Sequence, residues 1–473
     1  MKKHIFIVLA LCLVSVTSCQ KWLDVTPKTD VKGKVLFSNQ AGFRDALIGI
    51  YSLMTTGNSY GSEMTLATTD VLAQVYDNVR STAGHSYENT AKYLYTDAVV
   101  ETRFANIWRQ QYKGVVNANL ILANIDEKKS VFTSGNYQLV KGEALALRAL
   151  LHFDILRLFS PSALTGADEK AIPYVTAYTN VPAEQFTVAQ VLDMVIKDLT
   201  GAQELLAPVD PYGPGHASLP AEPENDLLQN RRYRMNYYAV TGLLARVYLY
   251  KGDKVKALAA AKEVISAGLF PLFEPNGGGV PTQPADYVFP TEQLFCLKVA
   301  GLKDKYAVNF FPEITVSASP TAMTINNTTL AQLFPAGVNT DYRNNWFDVA
   351  TSSAKRITKY NFNNIIPILK LSEMYLVAAE SEPDVAEAVT TYLNVLRAHR
   401  GLGGLDAAGA TRPSLDAEIA LEYRREFIAE GQLFYYYKRL NVPKLPSITQ
   451  FENPAAVYVI PIPAAEIEFG NIE

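Results

Sequence analysis

Cys19 is the residue whose surroundings most clearly call for chemistry. It follows Met1-Lys2-Lys3, an apolar run from Ile5 to about Val16, and the short segment Val16-Thr17-Ser18. A basic start, an apolar core and small or hydroxylic residues before the cysteine form the leader of a bacterial lipoprotein. Cleavage removes residues 1–18 and leaves Cys19 as the first mature residue, the position for acylation. The apolar run is shorter than the roughly 20 residues needed to cross a bilayer. Each buried acyl methylene contributes about 0.8 kcal/mol, and two or more chains anchor stably, so the expectation is a chain tethered to a membrane by lipid only.

Other arrangements spell catalytic motifs without their context. Gly57-Asn58-Ser59-Tyr60-Gly61 fits a nucleophile elbow, but an elbow needs a strand before the serine and a helix after it, whereas here a helix ends near Met54 and a loop follows. Ser352-Ser353-Ala354-Lys355 fits Ser-x-x-Lys without its companion motifs. Glu418, Glu422, Glu426 and Glu430 recur every four residues beside Arg424 and Arg425, which reads as a salt-bridged helical face rather than a carboxylate pair for glycoside hydrolysis. Gly277-Gly278-Gly279 lacks the Lys-Ser/Thr of a phosphate loop. With Cys12 lost and Cys19 acylated, Cys296 stands alone in Leu294-Phe295-Cys296-Leu297 and reads as a small buried hydrophobe. His152 has no histidine at ligand spacing. The expectation is no catalytic residue, no metal and no cofactor.

Binding chemistry has better material. A sugar asks for flat aromatic faces against its C–H groups, with carboxylates, amides and arginine for its hydroxyls. Asp70, Tyr76, Asp77, Asn78, Arg80, His85 and Tyr87 lie in one loop-rich stretch, and Asp341, Tyr342, Arg343, Asn344, Asn345 and Trp346 in another. Tyr76, Tyr87 and Trp346 are expected as platforms, with Asp70, Asn78, Arg343 and Asn344 as polar partners. A peptide would use the same aromatic surface.

The elements that must carry these loops are helical. Phe43, Ala46, Leu47, Ile50, Tyr51 and Met54 recur at helical spacing over 39–54. Further helices are expected over about 104–125, 137–159, 187–206 and 414–439, the third with Val140, Ala144, Leu147, Leu151, Ile155 and Leu158 as core face and Arg148, His152 and Arg157 off it. Met235 to Gly268 and Pro367 to Gly401 read as hairpins of about 34 residues, the tetratricopeptide period. The stretch 271–364 breaks this rhythm with glycines, prolines and short β-like runs, and loops on a rigid scaffold are where binding sits. Of the 473 residues, 43 are Lys or Arg and 47 are Asp or Glu, a formal net charge of −4 that falls further when the leader takes Lys2 and Lys3. Such a surface offers no electrostatic reason for a nucleic acid or anionic lipid partner.

An ordered series of segments resembles the SusD/RagB family of outer-membrane nutrient-binding lipoproteins. It comprises Cys19-Gln20-Lys21-Trp22-Leu23-Asp24 with Pro27; Gly142-Glu143-Ala144 through Arg148 to Phe159; Leu371-Ser372-Glu373-Met374-Tyr375-Leu376 with Ala378-Ala379-Glu380; Arg424-Arg425-Glu426-Phe427 with Glu430-Gly431; and Ile460-Pro461-Ile462-Pro463 with Glu466 and Asn471. The chain departs where the family usually carries an arginine and an aspartate after Glu430-Gly431, having Leu433 and Tyr436, a replacement that fits a repacked contact. It departs again at Ser160 and in an insertion over about 161–170. Asp341 and Arg343 also match a common Asp-x-Arg feature of the family that looks structural, with Trp346 packed beneath it.

The resemblance implies a mainly α protein, a SusD-like α-α superhelix of tetratricopeptide-like hairpins with an irregular, loop-rich ligand-binding lobe. In that reading residues 19–473 form a single domain, with a tether at 19–38, hairpins at about 39–270 and 367–440, and the lobe at about 55–98 and 271–364. It also implies a lipid-anchored protein facing the cell exterior. Its role would be to capture oligosaccharide, or in some members peptide, and deliver it to a SusC-like TonB-dependent transporter; a structural lid without ligand contact is a further alternative.

Overall fold

The computed structural model describes residues 35–133, 135–179, 181–214, 227–274, 284–313, 320–335, 340–445, 453–470 and 472. The leader, Cys19, the tether to residue 34, Gly277-Gly278-Gly279 and Asn471 lie outside them.

Local chemistry starts each helix. Asn39 accepts the N–H of Gly42 ahead of α1 (Gln40–Met54), and Asp97 accepts those of Val99 and Val100 ahead of α2 (Ala98–Ile125), satisfying donors that the first turn leaves unpaired. α3 (Asn136–Phe159) follows Gly135, and Thr187 with Gln190 forms a capping box for α4 (Val188–Leu206). Asn236 and Asp253 cap α5 (Tyr237–Lys251) and α6 (Lys254–Ser266), which turn at Gly252 with φ +89°. α7 (Leu371–Ser381) is answered by a return helix through Val385–Glu387, Ala388–Leu393 and Asn394–Ala398, whose middle segment is a π turn.

Each of these helices packs on the next in chain order, α1 on α2 through α6 on α7 and α7 on its return helix. The result is a run of antiparallel hairpins, as a tetratricopeptide array requires. Close approach is set by small residues: a Cβ on Gly142 would lie 2.9 Å from Leu206 Cγ and 3.3 Å from the Ala202 carbonyl, so α3 and α4 meet there without a side chain between them.

Two helix expectations need correction. α3 is not amphipathic, since every residue from Ala146 to Phe159 is buried. Its polar groups are internally paired: Arg148 grips Asp198 with two bonds of 2.7 Å, His152 stacks on Tyr174 at 4.0 Å, and Arg157 Nε meets Asp154 at 3.1 Å. The helix expected over 414–439 is two, α8 (Arg412–Glu426) and α9 (Leu433–Arg439), separated by an elbow in which Ala429 and Gly431 take positive φ. Leu433 is buried and Tyr436 stacks on Tyr423 at 4.1 Å, the repacked contact expected from the departure.

The strands are short and antiparallel. β1 (Lys170–Pro173) pairs β2 (Gln185–Thr187), β3 (Gln293–Lys298) pairs β7 (Ile365–Lys370), and β4 (Ile325–Asn326) and β5 (Phe347–Val349) flank β6 (Ala354–Ile357). The β3–β7 pair delivers the chain into α7 and roots the irregular lobe on the helical array. No helix of the described residues is long and apolar enough to cross a membrane.

Candidate functional site

The two loop-rich stretches form one body. Asn78 donates to the Ala322 carbonyl and accepts the Thr324 N–H, both at 2.8 Å, and Asp77 accepts the Asn326 N–H at 2.8 Å. His85 meets the Ala322 carbonyl at 3.0 Å, and Ser86 N–H bonds the Pro320 carbonyl at 2.9 Å. Buried backbone groups need partners, and residues 77–86 and 320–326 supply them to each other.

The rings expected as platforms are inside this body. Tyr76 is 3%, Tyr87 5% and Trp346 1% exposed, so none presents a face to solvent, and their assignment as stacking surfaces is corrected to packing. Tyr76 donates to the Leu66 carbonyl at 2.6 Å and lies 5.9 Å from Phe311. Tyr87 donates to Glu63 at 2.8 Å, sits 6.0 Å from Phe310 and has the Arg103 guanidinium 4.0 Å over its ring. Trp346 is covered by Phe289 and by the Lys359 ammonium, 4.0 Å from its ring. Burial raises the Tyr76 and Tyr87 hydroxyls well above their usual range, adding Asp70 for the first and Glu63 for the second. Both therefore act as donors.

The polar partners divide in the same way. Asp70 is fully buried and accepts two backbone N–H groups from the α8–α9 elbow. Arg343 is fully buried in a bidentate pair with Asp341 and reaches Glu422 and Glu426 at 2.8 and 3.0 Å. The Asp-x-Arg feature is thus structural. Asn78 is half-buried as the clamp just described, and Asn344 is half-buried in the turn closed by its own N–H on the Asp341 carbonyl. The row Glu422, Glu426 and Glu430 is buried rather than a surface ladder. It is paired with Arg343, Arg400, Lys370, Lys359 and Arg425, and burial, with Lys370, lowers the Lys359 ammonium to about 8.

Above the buried rings runs the segment 303–311, and it carries the exposed chemistry. Lys303–Ala307 is a π turn, a form that concentrates at functional sites, followed by Phe310 and Phe311 on the floor made by Tyr87 and Tyr76. From this turn Lys303 leans toward the ring of Phe362 at 5.6 Å, and the half-buried Tyr306 ring covers Gly57, to whose Cβ position its Cε1 would lie 3.4 Å. Phe362 is 62% exposed. It stands in Tyr360-Asn361-Phe362-Asn363-Asn364, which Asn364 ties to 299–302 through its carbonyl and side-chain oxygen. A solvent-facing aromatic ring with an ammonium beside it and amides around it can stack on an apolar face and hydrogen-bond a polar rim.

Phe362, Tyr306 and Lys303 were missed in the choice of residues although they lie within the expected lobe. An aromatic flanked by asparagines at 361–364 was the available signal. The nucleophile-elbow spelling fails on geometry: Ser59 is 1% exposed and its Oγ accepts from Gln111 Nε2 at 3.1 Å. Cys296 is buried, with its thiol pushed up to about 12 by that burial.

Two family models match the chain. One, described as starch-binding associating with outer membrane, covers residues 21–249, and one described as the SusD family covers 315–455. The SusD-like protein P25 of Formosa agariphila is 24% identical over 277 residues, 56% of this chain but only 46% of that relative. The chain therefore spans under half the length of that curated relative. Among solved structures, a SusD-like carbohydrate-binding protein from Bacteroides vulgatus superposes with a TM-score of 0.71 at 19% identity, covering 92% of this chain and 97% of the other. A SusD superfamily protein from Bacteroides thetaiotaomicron gives 0.67 at 21%, covering 92% and 99%, and a laminarin-binding SusD-like protein gives 0.66 at 17%, covering 92% and 98%. At these identities the structural likeness establishes the fold.

Proposed function

The chain belongs to the SusD/RagB family, and from that premise we propose that it is a cell-surface lipoprotein that captures oligosaccharide through Phe362, Tyr306 and Lys303. Acylation at Cys19 tethers it to the outer membrane, and it passes its cargo to a SusC-like TonB-dependent transporter. The observation that carries the reading is the exposed Phe362 ring with the Lys303 ammonium of a π turn 5.6 Å from it, the segment after that turn being packed on Tyr76 and Tyr87 through Phe311 and Phe310. Anchoring the segment that follows Lys303 lowers the entropy lost when the turn is ordered against a ligand. The descriptions of two structural relatives, one carbohydrate-binding and one laminarin-binding, agree with this class.

The test is affinity electrophoresis and calorimetry of the mature protein against a glycan panel that includes laminarin and starch, with a peptide library alongside. Retardation by at least one glycan is expected. Binding of peptides alone would replace the ligand class, and binding of neither, with uptake intact, would leave a structural lid. Cys19→Ala is expected to release the protein from the outer-membrane fraction; continued fractionation there would exclude acylation as the sole tether.

A further inference from the structure

A second opening lies among α3, α5, α7, α8 and α9 and is lined by no residue of the loop lobe. Arg157, Arg246, Tyr250, Glu373, Tyr435 and Arg439 form its polar wall, with about 30 Å³ open to the centre of a water molecule. That is roughly twice the 10–15 Å³ that one water needs. Gln432 and Arg439 are half-buried and form its mouth, whereas the rest of this wall is buried.

The wall is rich in donors. Arg157 is held by Asp154, Arg246 by Glu373 through two bonds of 2.6 Å, and Arg439 by Glu380 through two of 2.7 Å. Each guanidinium is thus charge-paired, and only Glu373 among the three carboxylates lines the opening itself. Tyr250 and Tyr435 are 4% and 3% exposed, and their hydroxyls have no hydrogen-bond partner among the described residues. Buried hydroxyls without a partner call for an explanation, and both rings line the same cavity. Burial raises both above the usual phenol range, so each is a donor. A cavity whose open groups are two phenol donors beside three guanidinium groups suits an acceptor with negative charge.

We propose that this cavity binds a small carboxylate, held by the hydroxyls of Tyr250 and Tyr435 against the arginine wall. The inference is independent of the glycan reading, since it concerns a different face and different residues.

Acetate is the probe. The unfolding temperature of the full mature chain is measured in acetate and in chloride at matched pH and ionic strength, for the wild type and for Tyr250→Phe, Tyr435→Phe and the double variant. Acetate is expected to raise the wild-type midpoint above that in chloride, each single variant to weaken the apparent acetate affinity about tenfold, and the double variant to lose the increment. Crystals of the wild type soaked in acetate are expected to show a planar carboxylate between the two hydroxyls. Equal increments in wild type and variants would overturn the proposal, as would an ordered water only in the soaked crystal. Should the double variant fail to fold, the single variants and the soak decide.

Discussion

The carboxylate of Asp70 accepts the backbone N–H of Gly431 at 2.9 Å, joining the first loop stretch to a helix elbow 361 residues away. Its other oxygen accepts the Ala429 N–H at 2.6 Å. The elbow turns the chain out of α8, and its Ala429 and Gly431 N–H groups have this one carboxylate as their partner. Asp70→Ala leaves both buried and unpaired, at about 1–3 kcal/mol each, so a loss of about 2–5 kcal/mol is expected in urea unfolding. Gly431→Ala is expected to be comparably harmful, because φ is +73° and a Cβ would lie 2.1 Å from the Met64 carbonyl oxygen. An Asp70→Ala protein within 1 kcal/mol of wild type would refute this role.

Glu426 is the hub of the buried charge network. Burial alone would raise its carboxyl, but Arg400, Lys370 and Arg343 hold it well below the usual range, with contacts of 2.8, 3.0 and 3.0 Å. Removing one partner of a buried pair costs about 3–5 kcal/mol, and Glu426→Gln is expected to fall in that range by denaturant titration. A conservative change on an exposed helical face would be close to neutral, so the measurement separates the two placements of this residue.

His152 gives the fold a dependence on acid. Burial, with Arg148 nearby, lowers the imidazole from 6.5 to about 3. Its Nδ1 lies 2.9 Å from the Arg148 carbonyl while Nε2 accepts the Val175 N–H at 3.0 Å, an arrangement for the neutral ring. Between pH 6.5 and 3 the unfolded chain takes up a proton that the folded chain refuses. Its contribution to stability is therefore complete above 6.5 and is lost as pH falls toward 3, by up to about 1.4 kcal/mol per unit. The slope of unfolding free energy against pH is expected to diminish in His152→Gln; an unchanged slope would assign the acid sensitivity elsewhere.

Phe362→Ala tests the proposed ligand surface with little risk to folding, because the ring is 62% exposed. Stability within about 0.5 kcal/mol of wild type is expected, with glycan affinity reduced tenfold or more, about 1.4 kcal/mol. Trp346→Ala should do the reverse. Its buried ring is part of the core, and its loss is expected to cost about 3–5 kcal/mol, seen in the unfolding midpoint.

The helical hairpins could be read from the chain because their signals are local. Asp253 after Gly252 marks the turn between α5 and α6, and alanines at 257 and 261 mark the face that approaches α5. α3 deceived the same reasoning, since a helix surrounded by others buries its polar residues too, and periodicity cannot tell Arg148 paired with Asp198 from Arg148 in water. The break between α8 and α9 has Gly431 as its visible sign, but Ala429 at positive φ has no signature in sequence.

Ordered motifs carried the resemblance to the family, and residue types and spacing determined the helical scaffold, because caps, periodicity and motifs act over a few residues. Tertiary structure decided which aromatic rings face outward. Tyr76, Tyr87 and Trp346 stand among polar residues just as Phe362 does. Whether a ring is covered depends on tertiary neighbours, on Phe310 and Phe311 from the other loop-rich stretch over the tyrosines and on Lys359, beyond the β5–β6 hairpin, over the tryptophan. Burial is a property of the whole packing, and no local pattern encodes it.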